Sequence, residues 1–211
     1  KGTFRNINVQ FLSLQGNLIT TIENDAFVNL SYLESLVIAE NQLYVLNPNA
    51  VVWTPKLTNL DVSMNYITSL VENQFAFLMS KNLISLRFIS NNITIISDKA
   101  FNKMRTINLK LDLSKNFIEI LPAAIFRNIL ELYLAKNPIK KITGRLCESE
   151  CKIEQLNIEC HNMDAVTIQG FVNWVHKNNI IFVDKLGCES SGSRIGLNYI
   201  TLLSFFSLLL Y

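Results

Sequence analysis

The chain has 211 residues, 49% of them hydrophobic, and 19 Lys and Arg against 17 Asp and Glu leave a formal charge of only +2. With a mean hydropathy of +0.24, there is enough apolar surface to offset the entropy of ordering the chain, which excludes a disordered polyampholyte. So small a charge gives no electrostatic basis for gripping a polyanion, and no nucleic-acid partner is expected. Both His (His161 and His176) and all four Cys lie at or after position 147, and none of the seven Gly builds a phosphate-binding loop. Neither catalysis nor a metal or other cofactor is expected.

In chain order, the first feature is a repeat. Anchored on Asn17, the chain reads Val9, Leu12, Leu14, Asn17, Ile19, Ile22, Phe27, Leu30, and the spacing returns as Leu33, Leu36, Ile38, Asn41, Leu43, Leu46, Val51. Further copies carry Asn65, Asn91, Asn116 and Asn137 as their marker, with steps of 24, 24, 26, 25 and 21 residues from Asn17 onward. The shared pattern, LxxLxLxxNxI, resembles the leucine-rich repeat. The resemblance implies an α/β repeat solenoid: a horseshoe with a parallel β-sheet on its concave face and a helical, disulfide-bonded C-terminal cap. No coil of such a stack buries its own apolar face, so stability comes from neighbours. The six asparagines are read as a buried ladder, each side-chain amide both donating to and accepting from main-chain groups of adjacent coils.

About six repeats are assigned to residues 1–142. Position 1 is Lys, no apolar leader follows, and Phe4 and Ile7 resemble the closing residues of an earlier coil. The expectation is a chain that starts inside the solenoid, without an N-terminal cap. Two departures stand out: Asn108 occupies the first Leu position of the fifth copy, and the step from Asn116 to Asn137 is short, which predicts a tighter convex side there. Two extra residues near Leu78 to Leu83 predict a bulge.

Residues 143–189 hold Cys147, Cys151, Cys160 and Cys188, an even number at the end of the array, resembling the disulfide cap of extracellular members of the family. Asn137-Pro138 is present, but the first Cys follows nine residues later, which departs from the usual cap spacing. Four Cys allow three pairings, of which Cys160 with Cys188 and Cys147 with Cys151 is favoured. A zinc site of Cys147, Cys151, Cys160 and His161 fits no common finger spacing and leaves Cys188 without a role. Leu156 and Ile158 suit a last strand. From Asp164 to Lys177, Ile168, Phe171, Val172 and Val175 recur at helical spacing behind an Asp164 N-cap. This helix and the apolar run Ile180 to Val183 are expected to seal the core.

Residues 190–211 form a spacer and an uncharged terminus, Tyr199 to Tyr211. About 20 apolar residues are needed to cross a bilayer, and this stretch is shorter. Small residues, a polar spacer and a short apolar end instead match the signal for a glycolipid anchor, with Ser190 as the attachment site; a terminal core helix or short tail anchor are the alternatives. Two N-x-S/T sequons, at Asn29 and Asn92, agree with export.

Binding in a solenoid of this kind is expected on the concave strands, between the inward Leu residues. The candidate ligand-binding residues there are Phe11, Val37, Asp61, Arg87, Ile89, Asp112 and Tyr133. Asp61 with Ser63 and Asp112 with Ser114 match the usual filling of these positions, whereas Arg87, Ile89 and Tyr133 depart from it. Arg and Tyr combine large contact area with directional polar tips and are favoured anchors. The mixed surface points to a protein, or a glycan, as partner. The resemblance implies a cell-surface binding protein in adhesion, co-receptor function or innate immune recognition; the alternative is a soluble secreted assembly or inhibitor protein.

Overall fold

Alternation within each copy dictates a short strand: in Ser35-Leu36-Val37 and Asn59-Leu60-Asp61 the central Leu is fully buried and its neighbours are half-buried. A computed structural model describes residues 3–52, 54–75, 84–102, 108–148, 151–184 and 187–188. In chain order the strands are β1 (Phe11–Ser13), β2 (Phe27–Val28), β3 (Ser35–Val37), β4 (Val51–Val52), β5 (Asn59–Asp61), β6 (Ser69–Leu70) and β7 (Ser85–Arg87). They continue as β8 (Ile95–Ile96), β9 (Lys110–Asp112), β10 (Ile120–Pro122), β11 (Glu131–Tyr133), β12 (Lys141–Thr143), β13 (Gln155–Asn157) and β14 (Ile181–Asp184). A 3-10 helix covers Ala123–Arg127, and α1 covers Ala165–Lys177.

One sheet of eight parallel strands, ordered β1-β3-β5-β7-β9-β11-β13-β14, lines one side of the solenoid. Its register is that of the repeat: Leu12, Leu36, Leu60, Leu86, Leu111, Leu132 and Leu156 stand opposite one another in succession. Three two-stranded parallel pairs, β2-β4, β6-β8 and β10-β12, support the other side. Between them runs one continuous apolar core, from Phe27 and Leu30 through Phe75, Phe88 and Phe126 to Phe171. The short step between Asn116 and Asn137 is accommodated by the 3-10 helix on the side away from the large sheet. The bulge expected at Leu78 to Leu83 lies outside the described residues, as do Ser190 and the whole 190–211 tail. Among the described residues no helix is long and apolar enough to cross a membrane.

The asparagines hold the coils in register. Asn65 Oδ1 accepts from the Leu43 amide at 2.9 Å, while its Nδ2 donates to the carbonyls of Ile38, Val62 and Ser63. Asn41, Asn91, Asn116 and Asn137 repeat this with Ile19, Ile67, Ile93 and Ile118 as the amide partners. All five of these are buried. Asn17 differs from the expected buried member: it is exposed, and its amide donates only to Leu14 and Gln15 of its own turn. Just before each ladder position the backbone enters the left-handed region, at Gly16, Glu40, Met64, Ser90, Lys115 and Lys136. The first five of these residues donate their amide to the next coil's carbonyl, as from Met64 to Ile89. Lys136 instead donates to the side chain of Glu159 at 3.0 Å.

The fifth coil solves its Asn108 problem by a swap. Asn108 is exposed, and the next residue, Leu109, is buried instead, while the Leu109 carbonyl still accepts from the amides of Leu130 and Glu131. Backbone pairing is therefore kept and only the side chain that fills the core changes.

At the far end, Asp164 caps α1 by accepting from the Thr167 amide, and Phe171, Trp174 and Val175 are buried. Phe126 meets Trp174 at 4.9 Å between ring centroids. The run expected to seal the core behaves differently: Ile180 is buried, but the next residues form β14, which adds an eighth strand beside β13 and leaves Ile181 and Val183 exposed. An alternating strand buries only one face, which the uninterrupted apolar run concealed. Disulfides link Cys147 with Cys151 and Cys160 with Cys188, so all four sulfurs are consumed and none is available as a zinc ligand.

Candidate functional site

Parallel pairing places residues one repeat apart side by side, at roughly 4.8 Å between strands. Two columns of side chains follow on the concave face. One runs Phe11, Ser35, Asn59, Ser85, Lys110, Glu131, Gln155; the other runs Ser13, Val37, Asp61, Arg87, Asp112, Tyr133, Asn157. Of the seven candidate contact residues, Val37, Asp61, Arg87, Asp112 and Tyr133 therefore stand in a single line on five consecutive strands. Phe11, 62% exposed, begins the adjacent column at the outer strand β1. Ile89 lies two residues beyond Arg87, half-buried, with its amide donating to Ser63 Oγ.

The centre of the line is electrostatically built. Asp61 and Asp112 each accept from the amide two residues on, Ser63 and Ser114, both at 2.9 Å, which fixes their carboxylates at the ends of β5 and β9. Arg87 sits between them in register, with its Nη1 3.8 Å from Asp61 Oδ2 and its side chain 53% exposed. A pair this exposed adds little stability; its consequence is a guanidinium held over the face with donors free for a partner.

Beside it lies a second polar group, in the flanking column and outside the seven candidate residues. Glu131 is buried at 8% exposure, its Oε1 lies 2.7 Å from Lys110 Nζ, and its Oε2 accepts from the Tyr133 hydroxyl at 2.9 Å. Burial, that hydrogen bond and the nearby carboxylates of Glu131 and Asp112 together raise the Tyr133 phenol above its ordinary pKa. Tyr133 is thus a positioned, protonated ring rather than a swinging side chain. Lys110 and Glu131 occupy the same register on neighbouring coils, 21 residues apart; opposite charges separated by one repeat step are a signal that sequence alone offers.

The remaining candidates lie elsewhere. Asn29 and Asn92 are both exposed. His161 lies 3.9 Å from Glu159, with its own side chain 53% exposed. Among the described residues no group of three or more His, Cys, Asp or Glu is placed to hold a metal ion.

Comparison with known proteins agrees with this architecture. Residues 7–67 match the family model described as Leucine rich repeat, and residues 73–175 match that described as BspA type Leucine rich repeat region (6 copies). Among curated proteins, the chain is 29% identical over 181 residues to mimecan of Homo sapiens and 34% identical over 181 residues to mimecan of Mus musculus, in each case 85% of this chain and 50% of the relative. It is 25% identical over 190 residues to keratocan of Gallus gallus, 77% of this chain and 53% of the relative. The chain spans about half the length of these relatives.

Proposed function

Since the chain belongs to the leucine-rich repeat family, we propose that it is an extracellular binding protein that recognises another protein through its concave face. The observation that carries this is the line Asp61, Arg87, Asp112, Tyr133, in which alternating charges and a fixed aromatic ring are presented on rigid strands. Preorganised Arg and Tyr lose little entropy on binding, and alternating charge selects a partner by complementarity. The action is binding, not catalysis. Export is supported by disulfides at all four Cys, which persist in oxidising compartments, and by similarity to mimecan and keratocan, which are extracellular matrix proteins.

The test is site-specific photo-crosslinking. A benzophenone side chain replaces Arg87 or Asp112 on the concave face, or Lys99 or Lys140 elsewhere, and the protein is offered to cells and matrix. A partner captured from the concave positions and absent from the others supports the proposal; equal capture, or capture only from Lys99 and Lys140, overturns it.

The reading extends to the cell surface through a glycolipid attached at Ser190, with Tyr199 to Tyr211 removed. Release from intact cells by a phospholipase specific for such anchors tests that extension. A protein found wholly in the medium, untouched by the enzyme, favours the soluble secreted reading, to which the matrix relatives lend weight.

A further inference from the structure

A second column of side chains lies away from the concave face, one residue past each ladder asparagine. The equivalence of its members is written in the backbone: Gln42, Tyr66, Asn92 and Phe117 each donate their amide to the preceding coil, at Ile19, Leu43, Ile67 and Ile93, over 2.8 to 2.9 Å. Asn92 therefore stands between Tyr66 and Phe117, flanked by one aromatic ring on each neighbouring coil. Tyr66 is 45% exposed and Phe117 57% exposed, and Tyr44 leans on Tyr66 with 5.6 Å between ring centroids. Large apolar groups aligned on a surface in this way mark a contact, since an uncovered patch is an aggregation liability.

The middle of this strip is the amide of a sequon, Asn92-Ile93-Thr94. A protein docked here would have to bury that carboxamide against apolar rings; a sugar attached to it would not. Resting on the reading of the chain as exported, we propose that Asn92 carries an N-linked glycan whose first N-acetylglucosamine lies against Tyr66 and Phe117 and shields them from water. The apolar C–H face of a pyranose suits an aromatic ring, and the rest of the glycan extends outward as a bulky, soluble cover. At the second sequon, Asn29 lies between the buried residues Val28 and Leu30 with a left-handed backbone.

The experiment uses the full chain secreted from a cell line that N-glycosylates, with Ser31→Ala to leave only the Asn92 sequon. Glycopeptide mass spectrometry gives occupancy, first on the unaltered chain. Melting is then measured after trimming the glycan to a single N-acetylglucosamine and after removing that last sugar. The expected result is no change in Tm on trimming, then a fall of about 2–4 °C on complete removal, as for the loss of one modest contact in a chain of this size. In Ser31→Ala with Tyr66→Ser and Phe117→Ser, substitutions at exposed positions that leave the core intact, complete removal lowers Tm by less than about 1 °C. An unoccupied Asn92 beside an occupied Asn29 overturns the proposal, as does an equal fall in Tm with and without the aromatic rings. If neither sequon is modified in the exported chain, this inference fails and the export reading stands; if the chain stays in the cytosol, the export reading fails and this inference with it.

Discussion

The indole N–H of Trp174 donates to the carbonyl oxygen of Cys147 across 2.6 Å, so the cap helix is pinned to the smaller disulfide loop. The same ring lies against Phe126 and Phe171, the last aromatic residues of the core. One side chain thereby joins three devices that end the solenoid: the helix, the disulfide and the apolar interior.

Trp174→Phe preserves much of the packing while leaving that carbonyl without its donor. A loss of roughly 1–3 kcal/mol is expected for an unsatisfied buried group. Denaturant unfolding, with the m-value unchanged, checks it.

Tyr133 supplies a pH signature. Its folded pKa lies above the unfolded value because burial and Glu131 oppose formation of the phenolate. A group of this kind contributes stability that is fully present below its unfolded pKa of about 10 and is lost as pH rises through the higher folded value. Titration of phenolate absorbance should show a late-ionising tyrosine that disappears in Tyr133→Phe. In Glu131→Gln the same transition should move down toward the ordinary range; an unmoved transition would remove Glu131 as a cause.

Gly187 is a backbone requirement. Its φ is +72°, and a Cβ added there would lie 2.8 Å from the His161 amide nitrogen. Backbone cannot yield as a side-chain tip does, so Gly187→Ala should displace the segment that brings Cys188 to Cys160. The left-handed conformation alone costs about 1–2 kcal/mol for a residue with a Cβ. A lowered melting temperature and faster reduction of the Cys160–Cys188 bridge under mild thiol are expected; wild-type values for both would refute the clash.

Asn65→Ala removes a side chain that serves four main-chain groups on two coils. The expected cost is at least about 1–3 kcal/mol. The fitting control is Asn17→Ala, whose bonds stay within one exposed turn, and it should cost distinctly less. Asn73 makes a poorer control, because its own backbone is left-handed at φ 55° and Ala is strained there.

Much of this architecture was legible in the chain because the repeat multiplies weak signals. One Leu-x-Leu means little, but the same spacing around Asn17, Asn41, Asn65, Asn91, Asn116 and Asn137 specifies strand, turn and stack together. The cap helix was legible from Asp164 and the spacing of Phe171 and Val175. Pattern reading failed where one residue takes over another's task. Leu109 fills the place that Asn108 vacates, and the side chain of Glu159 supplies to Lys136 the acceptor that a backbone carbonyl provides in earlier coils. On the concave face, the columns could be counted from the repeat, but the burial of Glu131 could not. It depends on Lys110 of the neighbouring coil and Tyr133 of the same strand closing over its carboxylate, a contact set by side-chain reach rather than by period. Left-handed residues such as Met64 and Lys115 were equally hidden, since neither carries the usual Gly or Asn signature.

Native-state hydrogen exchange at the amides of Leu43, Ile67, Ile93 and Ile118 reports the stacked ladder most directly. Each donates to the side-chain oxygen of an asparagine one coil away rather than to any backbone carbonyl. They should exchange as slowly as Ile38, Val62 and Phe88, which donate to backbone carbonyls of the next coil, and Asn65→Ala should speed Leu43 selectively. Exchange at all four at the rate of exposed loop amides would contradict a solenoid held by its asparagines.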